Sequence, residues 1–327
     1  MHSRRHFLAS ASALALAGNG LQARAAGTTA WPSQAVRIVV PFAPGGTSDV
    51  IARLISKPLG DALGVPVIVE NRTGANGNIG AAAVANATDG HTLLLSDMGT
   101  LAISPLISKD LPFKADDLTG VTMLAYSPHL LVVPPSLPVT NLAELVALSR
   151  RSKLNVASAG TGTPNHLAMV EIALATGMQW QHVPYRGGAQ AMADTVAGNT
   201  QVVLNGMLAT LPLVTGGRLK VLGVSKRTRM ALLSQYPTIA EQGVPQFESG
   251  TYQGVTVART MPKAAIDRLG AALIQIIRSP ELRARLTEAG AEVMTMTPAE
   301  TSGFITTDRR RWASVIERAG KQLEGTV

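Results

Sequence analysis

The chain has 327 residues and a formal charge of +8, with 46% hydrophobic and only 15% charged residues, a balance that supports a sizeable core. It has no cysteine, which rules out a disulfide framework and a thiolate metal site. Its basic residues are scattered. The one dense run, Arg309-Arg310-Arg311, sits in a helical pattern with no interleaved aromatics, so it reads as a solvated helix face and not as a nucleic-acid surface.

The first segment is an address. Ser3-Arg4-Arg5-His6-Phe7-Leu8 is a twin-arginine pattern, followed by an apolar, alanine-rich stretch over 7–17 and by Ala23-Arg24-Ala25, small residues of the kind a signal peptidase reads. The apolar run is far below the roughly 20 residues a membrane-spanning helix needs. Residues 1–26 therefore read as a Tat-type signal peptide, cleaved on export to the periplasm. The mature chain would begin near Ala26 or Gly27, and losing Arg4, Arg5 and Arg24 leaves it about +5.

Next comes a β-branched run over 36–40, the pattern of a strand buried on both faces. Pro41-Phe42-Ala43-Pro44-Gly45-Gly46 follows as a loop, and Thr47, Ser48 and Asp49 are helix-starting residues. The spacing of Val50, Ile51, Leu54 and Ile55 gives one buried helix face, with Pro58 expected to kink it. A helix start behind a glycine corner favours an anion, by about 0.3–1 kcal/mol from the dipole alone. The same corner is also what an ordinary strand-to-helix turn looks like. Residues 65–70 read as a second buried strand. The turn-rich loop 71–78 leads into a small-residue helix over 79–86. The glycines at 74, 77 and 80 miss the dinucleotide spacing. A third strand over 92–95 ends in a polar loop, Ser96-Asp97-Met98-Gly99-Thr100.

Further strands are expected at 121–125 and 130–133, with Pro134-Pro135 ending regular structure. A second α/β set follows: a helix over 142–151, a strand over 155–157 and the glycine-rich loop Gly160-Thr161-Gly162-Thr163. That loop opens a helix over 166–176, and a strand over 181–183 leads to the third glycine loop, Pro184-Tyr185-Arg186-Gly187-Gly188, and a helix over 189–197. Strands over 202–204 and 221–224 complete the set. Glycine loops at the C-terminal ends of strands are where open α/β sheets bind ligands. Beyond lie a strand over 252–257 and helices near 264–277, 281–288 and 298–318, in which no residue suggests chemistry.

These motifs, in this order, resemble the Bug, or TctC-like, extracytoplasmic solute-binding proteins of tripartite tricarboxylate transporters. The resemblance runs from about Trp31 to Trp312. It rests on Val40-Pro41-Phe42-Ala43-Pro44-Gly45-Gly46 with Asp49 and Arg53, on Val69-Glu70-Asn71-Arg72-Thr73-Gly74, and on Gly77-Asn78-Ile79-Gly80-Ala81. Asp89-Gly90-His91-Thr92-Leu93-Leu94, Gly160-Thr161-Gly162-Thr163 with His166, His182-Val183-Pro184-Tyr185-Arg186-Gly187-Gly188 and Pro237-Thr238-Ile239-Ala240-Glu241-Gln242-Gly243 complete it. Departures are Pro58, Gln201 and Asn205 where acidic residues are common, and Tyr252 in place of a tryptophan.

The resemblance implies an α/β, two-domain periplasmic-binding-protein fold of type II-like, Venus-flytrap form, with the ligand cleft between the domains. Domain 1 would take residues 31–130, domain 2 residues 131–226, and 227–327 would return to domain 1, with crossings near 130–133 and 223–226. It also implies a small anionic ligand, a carboxylate in preference to an amide, handed by a monomer to membrane permease subunits. The ligand-binding candidates are Phe42, Ala43, Gly45, Gly46 and Thr47 with Ser96 and Thr100 from the first domain, and Gly160, Thr161, Gly162, Thr163, Tyr185 and Asn205 from the second. Backbone N–H groups and threonine hydroxyls would grip the anion, with Phe42 and Tyr185 about its body. Asp49 reads as a cap and His166 as structural. No cofactor is called for: there is no P-loop, and six scattered histidines give a metal site little support. Two other readings are a ligand sensor that docks on a signalling receptor, and a hydrolase. Against the latter, G-x-S-x-G and H-E-x-x-H are missing and nothing in the spacing of Ser158, His166 and Asp194 makes a triad.

Overall fold

The β-branched run forms β1 (Val36–Val40), whose Val36, Ile38, Val39 and Val40 are buried. This computed structural model describes residues 31–320, so the twin-arginine leader and residues 321–327 lie outside the described residues. β1 lies parallel between β2 (Val67–Asn71) and β3 (Thr92–Asp97). The expected second buried strand is instead the sheet's edge: every residue of β2 is at least partly exposed, and Ile68 is 52% exposed.

Helix α1 (Thr47–Leu63) joins β1 to β2. Its buried stripe is Ile51, Ile55, Leu59 and Leu63 with Ala52, and the helix continues through Pro58. Ala75–Gly77 is a short 3₁₀ turn before α2 (Asn78–Ala85). The expected polar loop at 96–100 is not a loop. Ser96 and Asp97 end β3, and Met98 begins α3 (Met98–Ile107). This helix is buried almost all round its first two turns, so it shows no amphipathic period to read.

The strands expected at 121–125 and 130–133 are one, β4 (Leu118–Val133), 16 residues long and almost wholly buried. Its first part pairs antiparallel with β9 (Gly250–Ala258), as far as Pro128 opposite Gly250. From His129 its partner is β7 (Val202–Gly206), with β8 (Lys220–Val224) also beside it. The change of partner thus falls just before the crossing expected at 130–133. β9 returns the chain to β3, giving the order β2-β1-β3-β9-β4-β7-β5-β6, where β5 is Leu154–Ser158 and β6 is Trp180–Pro184. β5 is parallel to both β6 and β7. The sheet therefore has two parallel α/β halves joined through long antiparallel strands. From Gln34 onward the chain forms one compact unit.

The second half carries α4 (Leu142–Ser149), α5 (Pro164–Thr176), α6 (Gly188–Val196) and α7 (Met207–Thr215). The sequence reading lacked α7, whose Pro212 and buried first turns hide it. After β9 come α8 (Lys263–Ile277), α9 (Pro280–Glu288), the short β10 (Glu292–Val293) beside β4, and α10 (Pro298–Ala319). A capping box of Thr297 and Glu300 starts α10. This helix packs across both halves. Trp312, Val315 and Ala319 share one core cluster with Ala102 and Ile103 of α3 and with Leu167 and Val170 of α5. Arg311, expected to be solvated, stacks 4.9 Å from the Trp312 ring centre and donates to the Glu248 carbonyl at 2.7 Å.

Where the chain crosses between the halves, three residues are tied together. His129 N donates to Ser225 Oγ at 2.7 Å, His129 Nδ1 lies 2.9 Å from Ser249 Oγ, and Ser225 N donates to the His129 carbonyl. All three residues are buried.

Candidate functional site

The C-terminal ends of β1, β3, β5 and β7 converge on the seam between the halves, and two neighbouring cavities lie there. The inner one, of about 40 Å³, is lined by Phe42, Gly46, Thr47, Ser48, Asp97, Thr100, Ala159, Thr163, Pro164, Asn165, Gly188, Asn205, Thr251 and Gln253. The outer one, of about 180 Å³, is lined by Pro41, Phe42, the turn 74–77, Ala159, Gly160, Thr161, Pro184, Tyr185 and Arg186. Phe42 and Ala159 border both, so they stand at the throat.

The halves are pressed together around this seam. Ala43 N donates to the Arg186 carbonyl at 3.1 Å. A Cβ at Gly160 would meet Asn76 Oδ1 at 2.3 Å, and one at Gly206 would meet Thr47 Oγ1 at 2.6 Å. Glycine at these two places is a condition of close approach.

One side of the inner cavity is rich in donors. α1 begins at Thr47 behind an extended Gly46, with no side chain capping it. The N–H groups of its first turn have no acceptor within the helix, and the dipole adds positive potential there. Thr47 and Ser48 are 8% and 5% exposed and present hydroxyls. From the other half, Asn165 is 4% exposed. Its Oδ1 lies 2.5 Å from Thr163 Oγ1 and accepts from His166 N at 3.2 Å, which leaves its Nδ2 to donate.

The loop before α1 is held by Asp49. Its carboxylate accepts from Gly45 N at 2.9 Å, from Arg53 at 2.9 and 3.0 Å, and from Asn71 Nδ2 at 3.0 Å. Burial raises its pKa, but these hydrogen bonds outweigh burial and hold it below the usual carboxylate value. Gly45 takes a positive φ of 83°, whereas Gly46 has an ordinary −79°. Of the two adjacent glycines, the left-handed conformation thus falls to Gly45 alone. Gly45 N is taken by Asp49, and Gly162 N donates to His166 Nδ1 at 3.1 Å. Thr163 Oγ1 is also engaged, 2.6 Å from the Gly160 carbonyl.

Of the expected ligand residues, Phe42, Gly46, Thr47, Thr100, Thr163 and Asn205 line the inner cavity, and Gly160, Thr161 and Tyr185 join Phe42 at the outer one. Ala43, Gly45, Ser96 and Gly162 line neither. Tyr185 donates its hydroxyl to Asp194 Oδ2. Asn205 Nδ2 donates to Thr210 Oγ1 at 3.1 Å. Ser158, His166 and Asp194 do not form a relay: Ser158 Oγ lies 2.7 Å from His182 Nε2, and His166 stacks on His182 at 3.9 Å. Among the described residues no group of three or more His, Asp or Glu is gathered for a metal.

Sequence reasoning missed Ser48, Asn165, Asp97, Thr251 and Gln253 as lining residues. Ser48 and Asn165 sit beside the recognised loops, and their helix-start positions were the available signal. Thr251 and Gln253 arrive on β9 from the distant segment that showed no chemistry, and nothing local announces them. Asp97 is the N-cap of α3, with Oδ1 accepting from Gly99 N at 3.0 Å and from Tyr252 N at 3.2 Å. Burial, helped by the neighbouring Asp308 carboxyl, pushes its pKa up to about 8.

Three buried groups with large shifts weigh on the pH range of the fold. Burial depresses His129 and His166 to about 3, so each stays neutral in the folded chain. Their contribution is present above the unfolded value of 6.5 and is lost as pH falls toward 3. Asp97 acts in the opposite sense: its contribution is complete below 3.8 and is lost as pH rises through about 8. Between 3.8 and 6.5 the two histidines outweigh Asp97, and above 6.5 Asp97 is the one of these three that still changes. Denaturant midpoints are therefore expected to peak near pH 6.5, with the alkaline decline flattened in Asp97→Asn. A midpoint that climbs steadily to pH 8.5 would show that Asp97 is ionised in the fold.

Residues 51–321 match the family model described as the tripartite tricarboxylate transporter family receptor. The chain belongs to this family. The receptor family is one of solute-binding proteins. Its solved relatives include Rpa4515 of R. palustris with adipate, 32% identical, TM-score 0.85, covering 89% of this chain and 98% of that one. The periplasmic binding protein BugD is 28% identical, TM-score 0.85, covering 89% and 99%. MatC from Rhodopseudomonas palustris with bound malate is 29% identical, TM-score 0.82, covering 87% and 99%. The fold of this receptor is thus the two-domain α/β fold of periplasmic binding proteins. Among the described residues no helix is long and apolar enough to cross a membrane.

Proposed function

We propose that this receptor is exported, loses residues 1–26, captures a small carboxylate between its two lobes and delivers it, unchanged and as a monomer, to the membrane subunits of a tripartite transporter. Residues 31–130 and 250–320 form one lobe and 131–249 the other; the second boundary lies beyond the expected 226 because Leu233, Ile239, Val244 and Phe247 pack in the cores of the second half. The observation that carries the reading is the donor cluster at the seam: the uncapped first turn of α1 with Thr47 and Ser48 faces Asn165 of the opposite lobe across one cavity. Hydrogen bonds to an ionised ligand contribute about 1.5–3 kcal/mol each, so a carboxylate held from both sides favours the closed form. Adipate and malate in the relatives are acids of this kind. The inner cavity of about 40 Å³ has room for little more than a water, so a solute enters only when the lobes part.

The test is a thermal-shift screen of the receptor purified from the periplasm, against mono-, di- and tricarboxylates, amino acids and amides. An acid at 100 times its dissociation constant is expected to stabilise by about 2.7 kcal/mol, and to be recovered chemically intact. A protein that answers only to amides, or that converts the bound acid, contradicts the proposal.

A further inference from the structure

We propose that the wall of the inner cavity opposite the donors reads an ammonium group, so that the solute of this receptor is a carboxylate carrying a protonated amine close to the carboxylate, as an α-amino acid does. The inference rests on the carboxylate reading above and adds the group that Asp97, Gln253 and Thr100 would hold.

The argument starts from unspent acceptors. Asp97 is 4% exposed, and both of its backbone donors fall on Oδ1, leaving Oδ2 without a hydrogen bond among the described residues. Gln253 Oε1 and Thr100 Oγ1 are fully buried and have no partner among the described residues. All three residues line the inner cavity. Buried polar atoms are nearly always paired; Gln253 Oε1 can only accept, Asp97 Oδ2 can only accept once ionised, and the Thr100 hydroxyl can do either, so this wall is completed by a group that donates. An ammonium brings three N–H donors and no acceptor. A second carboxylate could be held there only by the Asp97 proton, and would leave Gln253 Oε1 without a donor.

The carboxyl groups gathered here point the same way. Asp97 and Asp308 flank Gly99: a Cβ there would lie 3.3 Å from Asp97 Oδ1 and 3.6 Å from Asp308 Oδ2. Asp308 accepts from Trp312 Nε1 at 2.9 Å and has Arg311 3.8 Å from Oδ1, its one ion pair among the described residues. Tyr252, on β9, meets Asp97 through its backbone N–H and has a phenol pushed up to about 12 by burial, so it stays neutral. The donor wall and the acceptor wall share one small cavity, which matches an ammonium and a carboxylate on neighbouring atoms. Phe42, at the throat, would let the rest of the solute reach the outer cavity.

Burial keeps the Asp97 proton in place up to about pH 8 without a cation beside it. An arriving ammonium favours the ionised form, so the carboxylic acid becomes a carboxylate and its proton leaves to buffer. The amine keeps its own proton.

The experiment is calorimetry at pH 7 in buffers of different ionisation enthalpy, with matched acids: 2-aminoadipate against adipate, and aspartate against succinate. Expected are at least tenfold tighter binding of the amino member and release of close to one proton with it. In Asp97→Asn the preference for the amino member of each pair is expected to collapse to within about threefold, and the proton release to disappear. Should Asp97→Asn fail to fold, proton release by the wild-type receptor and the preference of Gln253→Leu decide the matter. Tighter binding of the des-amino acids, weakening as pH rises from 6 to 8.5, would overturn the inference, because Asp97 would then be giving its proton to a ligand carboxylate. If no acid of either kind binds, the carboxylate reading falls first and this inference with it.

Discussion

Gly206→Val is expected to hold the two lobes apart and weaken solute binding by roughly 5- to 150-fold. The residue ends β7 and has an ordinary φ of −56°, so valine is allowed by the backbone. What valine meets is the other lobe: its Cβ alone would lie 2.6 Å from Thr47 Oγ1, with Thr251 Oγ1 at 3.1 Å. Thr47 is β-branched and sits at the first position of α1, so it has few rotamers with which to withdraw. Overpacking of this kind costs about 1–3 kcal/mol, and that cost applies only when the lobes are shut. It therefore subtracts from the closed, ligand-holding state and leaves the open one alone. Calorimetric affinity and small-angle scattering check this together. The variant should keep its circular dichroism and scatter as a more extended particle. Affinity within twofold of wild type, with compact scattering, would mean that Thr47 and Gly206 do not meet when the solute is bound.

Trp312→Ala is expected to remove about 3–5 kcal/mol of folding stability, the largest loss from any single substitution considered. The ring is 2% exposed and shares a cluster with Ala102 and Ile103 of α3 and Leu167 and Val170 of α5. Removing it leaves a hole beneath α10 at the place where that helix touches both lobes. It also strips Asp308 of its indole donor, 2.9 Å away, in a buried site. Trp312→Phe separates the two effects. It keeps most of the packing and loses only the hydrogen bond, for which about 1–3 kcal/mol is expected. Urea denaturation of both variants gives the numbers. A loss below about 1 kcal/mol for the alanine variant would mean that α10 is a peripheral helix and not a strap over the two lobes.

The two substitutions probe opposite faces of the same design. One acts at the cleft, where glycines allow the lobes to touch. The other acts at the back, where α10 and the His129–Ser225–Ser249 crossing keep them in register. A solute can shift such a two-state molecule only by contacts that improve on closure. That is why the cleft variant is read in affinity and the strap variant in stability.

Much of this was written locally in the chain. The runs at 36–40 and 92–95 read as short strands, since β-branched and leucine residues dominate them with little polar alternation. The glycine loops at 43–47 and 160–163 could be placed before helix starts, because Thr, Ser, Asn and Pro at those positions mark the first helical turn. Those signals depend on neighbours within about four residues, and so did the family resemblance.

What only the tertiary structure decided depends on residues far apart. Whether 118–133 is one strand or two turns on β9 and β7 arriving from more than 70 residues away to take up its two ends. Which glycine carries the positive φ was settled by Asp49 reaching back to Gly45 N. The acceptor wall was invisible for the same reason. Asp97 reads locally as a loop residue, and Gln253 as a polar residue in an ordinary strand. They become one surface because β3 and β9 pair antiparallel with Asp97 opposite Gln253, and side-chain alternation then sends that cross-strand pair to the same face of the sheet.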